Sequence, residues 1–264
     1  MTGEPQLPAW PEDTLLVIPV FNHAAQIGAV ITAGRVLGAP VLVVDDGSTD
    51  GSGTIAEEAG AEVIRFDQNQ GKAQALRRGM RAAIERGYDR MLSCDADGQH
   101  PPQAVAAVAA AIDPLQREII IGCRRMGEAP FISRLGRFLS NSGCLLISGR
   151  WPSDSQSGLR VYPLPICHQL PAPARRYAFE IEILIRAAWA GVGVRAIDVD
   201  VLYPSDRVTH FNKLRDNLQA TTVLARLALR RCWPTRQRLA PAAVPEEQAR
   251  GQGGPPPTTQ GWSS

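Results

Sequence analysis

Residues 41–51 have the sequence VLVVDDGSTDG, in which four consecutive apolar residues lead directly into two aspartates and a turn. A short continuous apolar run is typical of a strand in a parallel sheet that is buried on both faces. In such sheets, ligands bind just beyond the carboxyl ends of the strands. The stretch therefore predicts an α/β sheet in which Asp45 and Asp46 stand at the edge where ligands bind.

Similar apolar runs recur along the chain, separated by longer segments with helical patterning. Further strands are predicted at residues 14–19, 61–66, 90–95 and 118–123, and helices at residues 24–37, 52–59, 72–86 and 103–112. A strand-to-strand spacing of roughly 20 to 30 residues favours right-handed crossovers. The expected architecture is an open, mostly parallel α/β sheet flanked by helices.

The composition limits the class of protein. The 264 residues carry a net charge of +2 and are 44% hydrophobic, which excludes wholesale disorder and fibrous proteins. No stretch approaches the roughly 18 uninterrupted apolar residues of a membrane span. Proline and glycine make up ten of the last 31 residues, which predicts a disordered tail. We expect a loose leader at residues 1–12, one folded domain at 13–212, a basic amphipathic helix at 213–233 and the tail at 234–264.

Charge is unevenly distributed, because residues 205–240 carry eight basic and two acidic side chains. The helix predicted within this segment ends at Trp233 and suits the interface of an anionic membrane. Packing against the folded domain is the alternative. The segment lacks the interleaved aromatic residues of a stacking platform, so no nucleic-acid partner is expected. We expect a cytoplasmic protein, in peripheral contact with the inner face of the membrane if the helix binds lipid.

Asp95 and Asp97 follow the strand predicted at residues 90–95. At positions i and i+2 of a strand end, the two side chains project to the same side. Two carboxylates this close repel each other unless a cation lies between them, and a hard divalent ion with oxygen ligands meets that need. Gln99 can add a neutral oxygen. No P-loop and no dinucleotide-binding glycine fingerprint accompanies them, which argues against a mononucleotide kinase or a dinucleotide enzyme.

Six motifs occur in an order and spacing that resemble the family 2 glycosyltransferases with the GT-A fold, a Rossmann-like α/β architecture. The fourth motif is especially similar to the branch that loads a hexose onto a polyprenyl phosphate. The motifs are IPVFN at 18–22, VDDGSTDG at 44–51, NQGKAQALRRG at 69–79, DADGQHPP at 95–102, SGLR at 157–160 and FEIEILIRA at 179–187.

The resemblance implies roles for several acidic residues of these motifs. Asp95, Asp97 and Gln99 would hold Mg²⁺ or Mn²⁺ against the diphosphate of a nucleotide sugar, and Asp45 and Asp46 would contact the nucleoside. Asp97, the second carboxylate, is also expected to be catalytic. Further candidate contacts to the donor are Pro19, Phe21, Asn22 and Lys72.

The reaction that the resemblance implies is inverting transfer of a hexose from a nucleotide sugar to a lipid phosphate. A phosphate acceptor is already ionised near pH 7 and attacks without a general base, whereas a hydroxyl acceptor requires a carboxylate within hydrogen-bond reach. Arginine suits phosphate oxygens because its guanidinium binds them bidentately. The arginines expected to bind acceptor phosphate or donor diphosphate are Arg124, Arg134 and Arg207.

Two alternatives remain open at this point. The same fold could serve a hydroxyl acceptor, with Glu180, Glu182 or Asp154 as the base. Because Glu180 and Glu182 cannot share one helical face, one is expected to reach the site and the other to be exposed or capping. The second alternative is a non-catalytic protein that binds nucleotide sugars, although such a protein would have no need of a metal site. His100 and His210 are further candidate phosphate contacts.

Overall fold

A computed structural model describes residues 9–125, 131–176, 178–202 and 213–232 of the chain. The strands in these ranges are β1 (Thr14–Val20), β2 (Val41–Asp45), β3 (Glu62–Arg65), β4 (Arg90–Ser93), β5 (Glu118–Arg124), β6 (Arg160–Pro163) and β7 (Gly193–Val199). They form one sheet in the order β3-β2-β1-β4-β6-β5-β7. Only β6 runs antiparallel to its neighbours, so the sheet is mostly parallel, as expected.

The helices in the described ranges are α1 (Ala24–Val36), α2 (Ser52–Glu58), α3 (Lys72–Glu85), α4 (Pro102–Ala110), α5 (Phe131–Ser148), α6 (Leu164–Cys167), α7 (Ala178–Trp189) and α8 (Lys213–Cys232). They cover both faces of the sheet and divide the core in two. One cluster of buried side chains lies between the sheet and α3, α5, α7 and α8. The other lies between the sheet and α1 and α4. This two-sided burial explains why β1 and β2 are continuous apolar runs.

The five strands and four helices that the sequence predicts up to residue 123 are confirmed, with ends that differ by one or two residues. Strand β4 ends at Ser93, so Asp95 belongs to the loop beyond it rather than to the strand. Strands β6 and β7 were not predicted. β6 has only four residues, one of them a proline, and it lies between β4 and β5. That insertion brings the SGLR motif beside the end of β4.

Helix α8 packs on the domain. Val223 and Leu227 are buried in the core cluster with α5 and α7, and the Arg226 guanidinium lies 2.7 Å from Glu182 Oε1. For this part of the helix the packing alternative is confirmed, because its apolar side faces protein. Trp233, the leader before residue 9 and the predicted tail from residue 234 lie outside the described residues. Among the described helices, none combines the length and the apolar character that crossing a membrane requires.

Candidate active site

The aspartates after β2 hold two loops together. Asp45 accepts hydrogen bonds from the Ser48 backbone N–H at 2.8 Å and from Arg65 Nε at 3.1 Å. Asp46 accepts the backbone N–H groups of Gln70 and Gly71 at 2.7 and 2.8 Å. Burial raises the pKa of Asp46, and these two hydrogen bonds oppose the rise. Both carboxylates are buried, and Asp46 fixes the loop that leads into α3.

The turn after these aspartates requires glycine. Gly47 has φ +75°, and a Cβ there would lie 2.7 Å from the Gln68 carbonyl carbon, so a larger residue would be both strained and blocked. The following residues tie the turn to the end of β1. Asn22 donates its backbone N–H to Ser48 Oγ at 3.0 Å, and its Oδ1 accepts the Thr49 N–H at 2.9 Å.

These contacts give the loop after β1 a defined place beside the Asp-Asp turn. Asn22 has φ +54°, a left-handed conformation that asparagine tolerates better than most residues. Pro19 is buried within β1, and Phe21 is half-buried at its end. Asp50 accepts hydrogen bonds from the Ala24 N–H and the Ser52 N–H and hydroxyl, so its role is to organise the starts of α1 and α2.

The loop after β4 presents the second pair of carboxylates. Asp97 accepts the backbone N–H of Gln99 at 3.1 Å and also the Gln99 side-chain amide. The Asp95 carboxylate lies directly against Gly158 of the SGLR motif, where any Cβ would overlap it. Ser93 reinforces this approach by donating its hydroxyl to the Gly158 carbonyl at 2.8 Å. Gln99, predicted as a metal ligand, therefore supports Asp97 directly in this arrangement.

Lys72, the first residue of α3, lies between two acidic groups from other elements. Its Nζ is 2.6 Å from Asp95 Oδ1 and 3.0 Å from Glu180 Oε1. Burial alone would raise the pKa of Asp95, but the Lys72 ammonium holds that pKa below its usual range. Glu180 is more deeply buried, and burial raises its pKa although Lys72 opposes the rise. The sequence suggested Lys72 as a contact to the nucleotide-sugar donor, whereas its pairing with Glu180 emerges only in the fold.

His100 is a further polar group near this cluster. It is buried, and within the described structure its Nδ1 has no hydrogen-bond partner. Burial lowers the pKa of His100, and the charges of Asp95 and Asp97 oppose that shift. The sequence suggested His100 only as a phosphate contact. Because it is buried near Asp95 and Asp97, we include it in the candidate site around Lys72.

The donor set of this cluster suits a hard divalent cation. Across the described ranges, no group of three or more His, Cys, Asp or Glu side chains is arranged to hold a metal ion. Mg²⁺ is commonly bound by only one or two carboxylates, with water and substrate phosphates completing its coordination. Asp95 and Asp97 therefore fit an ion that arrives together with a diphosphate.

Asp154 forms a second, separate charge cluster with two arginines. It accepts Arg124 Nε at 2.8 Å and an Arg124 terminal nitrogen at 3.0 Å, and Arg137 lies 3.5 Å away. Burial would raise the pKa of Asp154, but the paired Arg124 lowers it. The side chain has no solvent exposure. A carboxylate held in this way positions Arg124 and does not favour the role of general base for which the sequence suggested it.

The expectation for Glu182 was wrong, because that side chain is neither exposed nor capping. It is fully buried and accepts the Ala174 N–H at 2.7 Å, Arg186 Nε at 2.9 Å and the Arg226 guanidinium. Of the predicted phosphate-binding arginines, Arg134 is exposed on α5, whereas Arg207, like His210, lies outside the described residues.

The sheet order determines which predicted residues meet. Lys72 contacts both Asp95 and Glu180, and Asp97 and His100 lie in the same loop as Asp95. Asp45 is the last residue of β2 and Asp46 follows it, and β1 lies between β2 and β4 in the sheet. The carboxyl edge of the sheet thus carries two pairs of aspartates, Asp45 with Asp46 and Asp95 with Asp97, one on each side of the end of β1.

Comparison with known proteins decides the family. Residues 15–179, well over half of the chain, match the family model described as glycosyl transferase family 2. The chain belongs to glycosyl transferase family 2. The transferase is 30% identical over 214 residues to glycosyltransferase AglJ of Haloferax volcanii, a match that covers 78% of this chain and 69% of AglJ. It is 28% identical over 206 residues to the undecaprenyl-phosphate mannosyltransferase of Micrococcus luteus, covering 72% of this chain and 82% of that protein.

Solved structures confirm the fold of the transferase. Glucosyl-3-phosphoglycerate synthase from Mycobacterium tuberculosis, crystallised with Mn²⁺, uridine diphosphate and phosphoglyceric acid, superimposes with a TM-score of 0.64. The match covers 84% of this chain and 80% of the synthase, at 20% sequence identity. The GT-A resemblance is therefore confirmed, and the protein is a glycosyltransferase enzyme.

Proposed function

We propose that this glycosyltransferase moves a hexose from a nucleoside-diphosphate sugar to a polyprenyl-phosphate-type lipid, with inversion at the anomeric carbon and with Mg²⁺ or Mn²⁺. The observation that carries the proposal is the cluster of Asp95, Asp97 and Lys72 at the carboxyl end of β4. It combines the oxygen ligands of a divalent ion with a cation that can face phosphate oxygens. The same cluster lies where open α/β sheets bind their ligands.

Asp95 and Asp97 are the residues that would hold the ion. When bound, the ion supplies positive charge to the diphosphate leaving group, which is the main electrostatic demand of this transfer. Lys72 adds a second positive charge, and Glu180 keeps its ammonium beside Asp95. The turn formed by Asp45, Asp46 and Asn22 supports a nucleoside on the other side of the β1 end. The synthase of similar fold, crystallised with Mn²⁺ and uridine diphosphate, supports a divalent ion and a nucleoside diphosphate as ligands of this transferase.

The contacts of the candidate bases support a phosphate acceptor. Asp154 is paired with two arginines, Glu180 contacts Lys72, and Glu182 is saturated by Arg186 and Arg226. All three side chains are buried, so none presents an exposed carboxylate to an acceptor hydroxyl, although Glu180 Oε2 has no hydrogen-bond partner. An ionised phosphate requires no base. Of the two described candidate arginines, Arg124 is held by Asp154 and lies near enough to Asp95 to lower its pKa, whereas Arg134 is exposed on α5. The Micrococcus luteus relative, named as an undecaprenyl-phosphate mannosyltransferase, supports the same class of acceptor.

A direct transfer assay tests the proposal. The purified full chain is incubated with Mn²⁺ and a panel of UDP- and GDP-sugars, together with undecaprenyl phosphate, the free polyprenol or no acceptor. Products are identified by mass spectrometry. We expect a glycosylated lipid phosphate with at least one donor and none with the polyprenol.

Two control arms make the result interpretable. Chelation with EDTA and the variant Asp97→Ala should each abolish transfer, while the exposed-site variant Glu85→Gln should retain it. Transfer to the polyprenol but not to its phosphate would overturn the proposed acceptor in favour of a hydroxyl. Full activity in EDTA would overturn the proposed metal dependence.

A further inference from the structure

Helix α5 leaves a row of large apolar side chains uncovered. Phe138, Leu139, Leu145, Leu146 and the nearby Trp151 are between 42% and 77% exposed. Positions 138, 139, 145 and 146 recur at the i, i+7 spacing that places residues on one side of a helix. The rings of Phe138 and Trp151 lie 6.1 Å apart, so the helix and the segment after it form one surface. We refer to these five side chains as the α5 face.

The α5 face continues onto two neighbouring helices. Trp189 of α7 is exposed and donates its indole N–H to the Ile147 carbonyl at 3.3 Å. Arg231 of α8 donates to the Leu146 and Ile147 carbonyls at 2.6 and 2.7 Å, two residues after the exposed Leu229. The apolar surface is therefore larger than a single helix stripe. Contiguous exposed apolar areas of this kind mark sites of protein or membrane contact.

The charges around this surface have one sign. Residues 131–151 contain three arginines and no acidic residue, and residues 217–232 likewise contain arginines and no acid. Arg134 on α5, Arg150 just after α5 and Arg230 on α8 are exposed. Leucine and tryptophan side chains among arginines are typical of surfaces that lie at the interface of an anionic bilayer.

The helix that carries the α5 face also contacts the Arg124–Asp154 pair of the candidate active site. Arg137, on the buried side of α5, donates to the Arg124 carbonyl at 3.0 Å and shares Asp154 with the Arg124 side chain. The same helix therefore presents apolar side chains outward and supports a proposed phosphate-binding arginine inward. Arg137 thus connects the helix that carries this face to Arg124.

We propose that the α5 face, together with the exposed end of α8, is the surface on which this transferase docks to an anionic lipid bilayer. The inference rests on the proposed function in one respect, since a polyprenyl phosphate is a lipid that resides in such a bilayer. It also revises the expectation for α8. Val223 and Leu227 are buried against the domain, so we assign the lipid contact of that helix to its exposed end around Leu229.

Vesicle binding tests the proposal. The full chain is mixed with vesicles of phosphatidylcholine alone, or with about one third phosphatidylglycerol, and bound protein is separated by flotation. The test variant is the double substitution Leu139→Glu and Leu146→Glu, and the matched control is Val36→Glu with Leu115→Glu, which places two glutamates at exposed apolar sites elsewhere. We expect wild type and control to bind anionic vesicles, and the test variant to lose at least tenfold in affinity.

Activity separates this proposal from the proposed function. With undecaprenyl phosphate in vesicles, the test variant should show a raised KM. With a short-chain, water-soluble prenyl phosphate, its kcat/KM should match wild type, which also shows that the variant is folded. Test-variant binding equal to wild type would overturn the docking surface even if lipid-phosphate transfer proceeds. Vesicle binding without transfer to any lipid phosphate would overturn the proposed function and leave the surface standing.

The alternative to a bilayer on the α5 face is a second copy of the chain. Light scattering after gel filtration measures the oligomeric state of wild type and of both double variants. We expect each to have the same mass. A wild-type dimer that the α5 substitutions dissociate, combined with no binding to anionic vesicles, would overturn the proposal.

Discussion

Lys72 Nζ lies 2.6 Å from Asp95 Oδ1 and 3.0 Å from Glu180 Oε1, so one ammonium group links the start of α3, the loop after β4 and the start of α7. These three segments are distant in sequence. Asp46 supports the arrangement by fixing the backbone of Gln70 and Gly71, immediately before Lys72. The acidic turn after β2 thus positions the cation that faces the acidic loop after β4.

Removing the Lys72 charge should impair transfer. In Lys72→Met, Asp95 and Glu180 lose their shared ammonium, so the pKa of each carboxyl should rise. Loss of one electrostatic contact of this kind typically costs on the order of 10² to 10³ in rate. We expect kcat/KM for sugar transfer to fall on that order, as measured with saturating Mn²⁺ at pH 7.

The chain offers a matched control for this substitution, because Lys213 is its only other lysine. Lys213→Met should keep wild-type kcat/KM, and Lys72→Arg should recover part of the lost rate. Wild-type rates in Lys72→Met would mean that the ammonium has no part in transfer.

Substitution of Asp97 tests the metal assignment. Asp97→Asn preserves the size of the side chain and removes the negative charge that a divalent ion requires. We expect the Mn²⁺ concentration for half-maximal transfer to rise at least tenfold, together with a loss of kcat. The measurement is a metal titration of EDTA-stripped protein, with Glu85→Gln as the exposed carboxylate control. An unchanged titration midpoint in Asp97→Asn would remove this residue from the metal site.

Much of this site follows from the sequence because its motifs are local. Apolar runs that end in Asp45-Asp46 and in Asp95-x-Asp97 place both pairs at the carboxyl edge of a parallel sheet, and the sheet has that form. Strand β6 was missed because four residues with a proline carry little strand signal. Its place between β4 and β5 is fixed by long-range pairing, which periodicity does not encode.

The partners of the buried glutamates on α7 could not be predicted from the sequence either. Glu180 and Glu182 are two residues apart on α7, and helical periodicity separates them correctly onto different sides. Both are nevertheless buried, because Lys72 meets one of them and Arg186 with Arg226 meets the other. Counter-charges that arrive from other elements decide burial in such cases, and only the folded chain reveals them.

Gly158 controls the space available to Asp95. A Cβ at Gly158 would overlap the Asp95 carboxylate, and the hydrogen bond from Ser93 to the Gly158 carbonyl opposes a shift of the backbone that leads into β6. We expect Gly158→Ala to displace Asp95 from Lys72 and to lower kcat/KM at least tenfold, as measured in the transfer assay. Gly28→Ala, in the middle of α1 where a Cβ meets only an ordinary contact, is the control. Equal activity in the two alanine variants would contradict the steric argument.

Asp154 should make the stability of the protein depend on acid pH. Its pKa is lowered in the folded state by Arg124, so the carboxylate contributes stability that is present above its unfolded pKa of about 3.9 and is lost as the pH falls through the folded value. Asp154→Asn leaves two arginines without their buried partner. Breaking a buried ion pair in this way costs about 3–5 kcal/mol of unfolding free energy.

The measurement that tests this role is urea unfolding of wild type and Asp154→Asn between pH 7 and pH 3. We expect the gap in unfolding free energy to be largest at pH 7 and to narrow as the pH falls below about 4, from the unfolded pKa of the carboxyl towards its lowered folded pKa. Asp200→Asn, which removes an exposed partner of Arg125, should cost less than about 1 kcal/mol at any pH.

Because Asp154 positions Arg124 and does not take a proton from the acceptor, Asp154→Asn should raise the KM for the lipid phosphate while the shape of the pH–rate profile stays unchanged. Loss of a limb of that profile, with unaltered stability, would instead identify Asp154 as a general base.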